Sequence, residues 1–430
     1  MGSHFVENES QEIKRLNIGS FTVKKTLGKY GCLCFLLFFF QIFYDLPWLV
    51  TLGKYTLMLF LFYFLWIESL VKASFRIPRL QISSLFIAYI FVLILSSLLN
   101  MMGDYYSLKE FLLGLVVISI PIGFYMHIVQ QPSPWEQRKF CNDLQKGIVF
   151  GATAVLIYVS LTGSFTNYLS LGFRFMGENI SPSIISLNAT LLLSYSLIHM
   201  VQHKRYLFFI PISFAIILIL LSLSKSGIVL GVFGFLYVAV VKRAYFAISV
   251  VSVVIGGLVI IFLPIETIQN VLFNYVTNDT LETLSGRSAI WQVCQELNNN
   301  KPLFGYGYNS VMKILPVYFT NFLAEQAHSV YYESMINVGV VGSSILGIYV
   351  LKVVIKCVRN FSAIKQDTTL SWFFFVVLIG LVRGVTEASF AQANNMIDVS
   401  LFFLSVFILD YFTSTRLKER KSVDKLGIAS

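Results

Sequence analysis

Runs of about 18 or more nearly uncharged apolar residues recur along this chain, and no other feature limits its possible folds so strongly. About twelve such runs stand near 28–44, 48–71, 82–101, 109–130, 145–162, 184–202, 206–223, 226–241, 245–264, 328–351, 369–386 and 397–414. Lipid offers the backbone no hydrogen bonds, so spanning segments of this length must be helices that satisfy themselves. The expected fold is all-α: a polytopic integral membrane protein of about twelve transmembrane helices. Composition agrees, since 56% of residues are hydrophobic and 13% charged, with a mean hydropathy of +0.74. Soluble domains run at about 45–50% apolar and about 25% charged.

The net charge of +10 raises the question of a polyanion partner, and the position of the charges answers it. With alternating sides for the twelve runs, about 24 of the 32 Lys and Arg fall on the side of the two termini and about 8 opposite. That bias puts both termini in the cytoplasm and leaves no argument for nucleic acid. Residues 1–28 carry Lys14, Arg15, Lys24 and Lys25 without a cleavage-site pattern, and read as a cytosolic tail. Of five cysteines, Cys294 alone falls on the outer side, so no disulfide framework is expected there. The five histidines show no metal-ligand spacing, and neither a metal nor another cofactor is expected.

The chain divides into a cytoplasmic tail (1–28), transmembrane helices 1–9 (29–264), a large outer loop (265–327), transmembrane helices 10–12 (328–414) and a basic cytoplasmic tail (415–430). A middle-sized outer connection, TGSFTNYLSLGFRFMGENISPS, covers 162–183. The large loop is rich in aromatics and glycine turns rather than low-complexity sequence, so it reads as functional. Within it, SAIWQVCQEL sets Ile290, Trp291, Cys294 and Leu297 on one helical face, and NNNKP ends the helix. A small helix on the outer membrane surface is expected there.

Charges on the outer side are informative because each costs desolvation unless it finds a partner. Four stand in telling contexts: Arg174 in LGFRFMGEN, Lys225 in LSLSKSG, Arg287 in LSGRSAIW and Arg383 in LVRGVTEAS. Cations converging at the membrane face suit an anionic ligand such as a lipid-linked pyrophosphate, which Arg can grip with two parallel hydrogen bonds. Arg287 follows Ser285-Gly286 at an expected helix start, where free backbone N–H groups also favour phosphate. Each has a plainer reading, as an interface anchor or a carboxylate's partner: Glu178 for Arg174, and Glu387, four residues on, for Arg383.

Where the large loop meets the next apolar run, the chain reads QAHSVYYESMINVGVVG. With a helix beginning near Ala327, His328, Tyr332, Met335, Gly339 and Gly342 line one face. The glycines then form a packing seam that turns the face into protein. His328 at a helix start stays neutral and able to accept a proton, as a general base for a hydroxyl would. A packing histidine fits the same pattern equally well.

These residues carry a family resemblance. His328-Ser329, nine residues, Gly339, two residues and Gly342 resemble the signature of the O-antigen ligase and polymerase superfamily, which includes WaaL-type ligases, Wzy-type polymerases and related exopolysaccharide polymerases. GRSAIWQVCQELNNNKPLFGYGYNS resembles that family's GR..IW…PLFGYG block, LSLSKSG its Ser-x-Ser-Arg element, and FRFMGENISPS its Arg-Phe-x-Gly…Asn-Pro-Asn element. The likeness implies a GT-C-like inner-membrane glycosyltransferase without metal or nucleotide sugar. Such an enzyme moves a glycan from undecaprenyl pyrophosphate to a hydroxyl acceptor at the periplasmic face. A chain-length regulator and a flippase of the same pathway are the implied partners, besides the bilayer.

Carried across, His328 is the base and Arg287 the pyrophosphate ligand that helps the leaving group depart. Arg174, Lys225, Arg383, Tyr332 and Glu325 complete the candidate substrate-binding set, with Glu325 orienting the imidazole or capping the helix. Two departures weaken the transfer. Lys225 stands where the family often has Arg, and Ser181-Pro182-Ser183 replaces Asn-Pro-Asn. Within the family the GRSAIW…PLFGYG block favours a polymerase over an O-antigen ligase, with a protein-targeting transferase a lesser alternative. A lipid-linked sugar flippase would instead predict inverted repeats with paired broken helices, which the sequence does not display.

Overall fold

In the computed structural model, the described residues are 27–39, 41–42, 60–61, 63–72, 82–103, 108–168, 172–176, 180–203, 206–222, 224–242, 287–319, 326–387, 389–391 and 396–425. Their regular structure is helical apart from one antiparallel hairpin, β1 (Ser164–Tyr168) and β2 (Gly172–Met176), in the middle-sized outer connection. The expected run at 245–264, most of 48–71 and residues 265–286 and 320–325 of the large loop lie outside the described residues.

In chain order the helices are α1 (Lys29–Phe39), α2 (Glu68–Lys72, after a π turn at Tyr63–Ile67), α3 (Ser84–Leu99), α4 (Leu108–Val129), α5 (Pro134–Thr162), α6 (Pro182–His203), α7 (Phe209–Ser222), α8 (Lys225–Lys242), α9 (Arg287–Asn300), α10 (Val311–Tyr318), α11 (Val330–Arg359), α12 (Phe361–Ile364), α13 (Thr368–Arg383) and α14 (Met396–Lys425). Five contain stretches long and apolar enough to cross a membrane: Phe111–Val129, Pro134–Thr162, Pro182–His203, Val330–Arg359 and Met396–Thr415. Five more, in or at α1, α3, α7, α8 and α13, are apolar but shorter. The chain is a polytopic membrane protein.

Small residues let these helices approach where lipid supplies no hydrophobic drive between them. A Cβ on Gly147 of α5 would stand 2.1 Å from Gly31 O of α1, so the two helices touch backbone to backbone. Around this contact the bundle closes with aromatics: Trp372, Phe373, Phe375, Phe403 and Phe407 of α13 and α14 are fully buried. Trp372 donates its indole N–H to Ser194 Oγ of α6 at 3.1 Å.

Gly339 does not form the expected packing seam. It sits in the left-handed region (φ 66°, ψ −174°) and breaks α11, and residues 302–307 lie in the gap. Two helical hydrogen bonds give way to four: Val340 N donates to Pro302 O (2.8 Å) and Val341 N to Leu303 O (3.2 Å), while Tyr306 N donates to Ile336 O (2.7 Å) and Gly307 N to Asn337 O (3.1 Å). PLFGYG is thus a splice into a broken helix. Its Gly305 (φ 65°) passes so near Ile336 O that a Cβ would stand 2.3 Å away. Residues of α3 and the turn after it hold the splice from the other side. Ser96 Oγ donates to Asn337 O (2.9 Å), Asn100 Nδ2 to Gly305 O (3.0 Å), and Lys301 Nζ to Asn100 Oδ1 (2.5 Å).

The expected amphipathic helix is α9, and it ends at Asn300 as the asparagines and proline require. Its apolar face does not lie on lipid, however. Ile290, Cys294 and Leu297 pack with Tyr306, Val311, Ile314, Ala327 and Ile336 in a small second core under the loop. Filling Gly339 tests the splice. Gly339→Ala adds backbone strain of about 1–3 kcal/mol, because its positive φ with extended ψ is essentially glycine-only, and drives a methyl towards Leu303 O, 2.2 Å from the ideal Cβ. The thermal unfolding midpoint in detergent is expected to fall by several degrees, whereas Gly347→Ala on the same helix, with nothing within 4 Å, leaves it unchanged or raises it slightly.

Candidate active site

The site lies at the end of the bundle where α6, α11 and α14 begin and α13 finishes. His328 is not on α11: the helix starts at Val330 with Ser329 as its N-cap, and His328 stands two residues before it with φ 49°. A non-glycine residue keeps such a conformation only when its surroundings hold it there. They do so on both flanks. Before it, Ala327 N donates to Glu333 Oε2 (2.9 Å) and Ala327 O accepts from Trp291 Nε1 (2.9 Å). After it, Val330 N donates to Gly384 O (2.8 Å). The helical stripe expected to aim His328 is therefore replaced by a pinned turn.

The turn points the imidazole at Glu387. Nδ1 is enclosed and 3.9 Å from Glu387 Oε2, while the ring remains 29% exposed overall. Arg287, the first residue of α9, meets the same carboxylate: Nη2 is 3.4 Å from Glu387 Oε1, and Nη1 donates to Thr386 O. One carboxylate thus faces the expected base and the expected pyrophosphate ligand together. Burial pushes the Glu387 carboxyl upward, but the facing His328 and the Arg383 and Arg287 charges outweigh it, and the group is held below the usual carboxylate range.

Arg383 has a different partner from the one its spacing suggested. Glu387 N continues the helical turn to Arg383 O (2.9 Å), but the side chains diverge. The Arg383 guanidinium is buried, donating Nη1 to Asp398 at the start of α14 and Nη2 to Ser183 Oγ (2.9 Å) at the start of α6. It ties three helix ends together. Tyr332 stacks on Trp291, with ring centroids 5.6 Å apart, and belongs to the second core. Arg174 lies in β2 opposite Thr166, and Lys225 opens α8; their side chains, and all of Glu325, lie outside the described residues.

The reading from sequence gave Glu387 no role beyond pairing with Arg383, and Asp398 none at all. An acid in MIDVS at the mouth of an apolar run is a signal that could have flagged Asp398, because intramembrane carboxylates need a reason to be there. Between Arg383 and Glu387 opens a cavity of about 210 Å³, which also reaches Asp398, Ser183 and Gln326.

The family model described as Wzy_C, O-antigen ligase, matches residues 210–347. That segment belongs to the O-antigen ligase and polymerase superfamily. It contains Lys225, Arg287, His328, Tyr332 and the splice, while Arg174, Arg383, Glu387 and Asp398 lie beyond it. No curated protein matches the chain. The matched segment thus carries His328 and the helix-start arginine, and the flanking chain carries the carboxylate they share.

That sharing has a pH signature. A carboxylate held below its ordinary pKa stabilises the fold above its unfolded value and loses that contribution as pH falls through the folded one. Wild type is therefore expected to melt above Glu387→Gln at neutral pH. The gap should close as pH drops below about 5; thermal unfolding in detergent across that range is the measurement.

Proposed function

We propose that this chain is a bacterial inner-membrane polysaccharide polymerase of the Wzy type, with about twelve spans, cytoplasmic termini and its site facing the periplasm. It transfers a glycan from undecaprenyl pyrophosphate to a sugar hydroxyl of a lipid-linked repeat unit. The observation that carries this reading is the convergence of His328 and Arg287 on Glu387.

The chemistry follows from the geometry. With Nδ1 enclosed against a carboxylate, a neutral imidazole places its proton on Nδ1 and leaves Nε2 as the basic atom. Nε2 takes the acceptor hydroxyl's proton as that oxygen bonds to the anomeric carbon of the donor. The bond from that carbon to the pyrophosphate oxygen breaks, and its electron pair leaves with undecaprenyl pyrophosphate. Glu387 then balances the imidazolium that has formed. Arg287 meets the departing charge, since a guanidinium has five N–H donors and Glu387 and Thr386 engage only part of them. The dipole of α9, which begins at Arg287, adds to this.

A second reading, transfer of a finished O-antigen to lipid A–core, is favoured by the family description itself, which names a ligase. The two differ in the acceptor, and profiling lipopolysaccharide or capsule in a deletion strain separates them. Core carrying one repeat unit supports the polymerase. Bare core, with polymer still on undecaprenyl pyrophosphate, supports the ligase. In the complemented strain His328→Ala is expected to lower polymer formation about a hundredfold or more at equal protein level; full activity would rule out the base. Arg287→Ala should likewise be inactive, and a milder loss for Arg287→Lys would assign its role to charge rather than to the two-pronged grip.

A further inference from the structure

The cavity beside Glu387 is lined in a way that a pyrophosphate site would not be. Its cation, Arg383, is already neutralised by Asp398 and tied to Ser183. Glu387 adds a second carboxylate, so the described lining carries one positive and two negative charges. An anion entering here would meet acid without a free counter-charge.

What the lining does offer is a ring of neutral donors and acceptors. Ser183 Oγ accepts from Arg383 (2.9 Å) and Ser181 Oγ accepts from Ile184 N (3.4 Å), so both hydroxyl protons remain to be donated. Gln41 is 2% exposed, and its carbonyl accepts from Asn188 Nδ2 (2.5 Å). Its amide NH₂ has no hydrogen bond among the described residues and borders the cavity. Asp398 uses one oxygen on Arg383 and keeps the other as an acceptor. Ile184, Leu187 and Ile397 supply an apolar wall. Polar edges around an apolar wall match a pyranose, whose hydroxyls both donate and accept while its C–H face is apolar. The volume of about 210 Å³ equals roughly seven water molecules at ~30 Å³ each, which suits one such ring.

We propose that this cavity seats a single uncharged sugar ring of the glycan next to the reacting bond, and that its two carboxylates select against acidic sugars. The proposal rests on the transferase reading above and divides the substrate between two places, with pyrophosphate at Arg287 and α9 and the sugar against Gln41, Ser181, Ser183 and Asp398.

Saturation-transfer NMR on the detergent-purified full chain tests it, with methyl glucoside, methyl galactoside and methyl N-acetylglucosaminide as neutral probes and methyl glucuronide as the acidic one. At least one neutral glycoside is expected to bind, with the glucuronide roughly tenfold weaker or worse. Ser181→Leu, which fills the cavity, should lower the neutral signal about fivefold while the chain stays folded by circular dichroism. Asp398→Asn, nearly the same shape, should raise glucuronide binding relative to the neutral sugar about threefold or more, a change that simple loss of structure does not produce. Absence of any neutral binding, equal binding of the glucuronide, or a Ser181→Leu signal like wild type would each overturn the proposal. His328→Ala keeps the two ideas apart. If it binds sugar normally and still makes polymer, the base assigned above falls while the sugar site stands; if it is inactive and wild type binds no glycoside, the cavity assignment falls alone.

Discussion

Four backbone hydrogen bonds between residues 302–307 and the break in α11 hold the rest of the site in register. They fasten the loop to a membrane helix at a depth where lipid cannot substitute for a missing partner. The small core of α9 and α10 stacks on that fixed strand, and through it Trp291 reaches Ala327 and Arg287 reaches Glu387. Besides the splice, the start of α9 is tied to the turn carrying His328 by Trp291 on Ala327 and by the packing of the second core. Broken helices in transporters commonly line a cavity. Here the gap is filled by the chain itself, which suits an anchor for a surface site better than a path across the bilayer.

Much of this was legible in the amino-acid sequence, because the rules that apply in lipid are few. Apolar runs gave the helices, the asparagines and proline gave the end of α9, the outer charges nominated Arg287, and the polar cluster at the head of an apolar run nominated His328. The failures all concern long-range partners. Arg383 and Glu387 stand four residues apart, yet α13 ends at Arg383 and Gly384 turns the chain, so the side chains separate and Asp398, from the next helix, takes the arginine. The left-handed turn at His328 was equally hidden, since it is imposed by Glu333, Trp291 and Gly384 rather than by local propensity. Gly339 was noticed for a sound reason, close approach of backbone, but its neighbour is a loop strand rather than a helix.

In the proposed transfer one partly buried acid, Glu387, faces charge at two ends. It is held ionised by the groups it serves, so it costs less to bury than an isolated carboxylate would. A proton arriving on the imidazole and negative charge leaving towards Arg287 would both be felt at the same two oxygens. Neither end of the transfer is then electrostatically independent of the other.

The splice also bears on how the protein is put together. An unpaired amide in lipid costs several kcal/mol, so α11 cannot keep its bend while the bonds from 302–307 are missing. Those residues leave the ribosome before α11 does, yet they can dock only after it has entered the bilayer. The loop must wait for a helix that follows it in synthesis, and α11 acquires its final shape at that meeting. The bend belongs to two distant pieces of chain, and neither can make it alone.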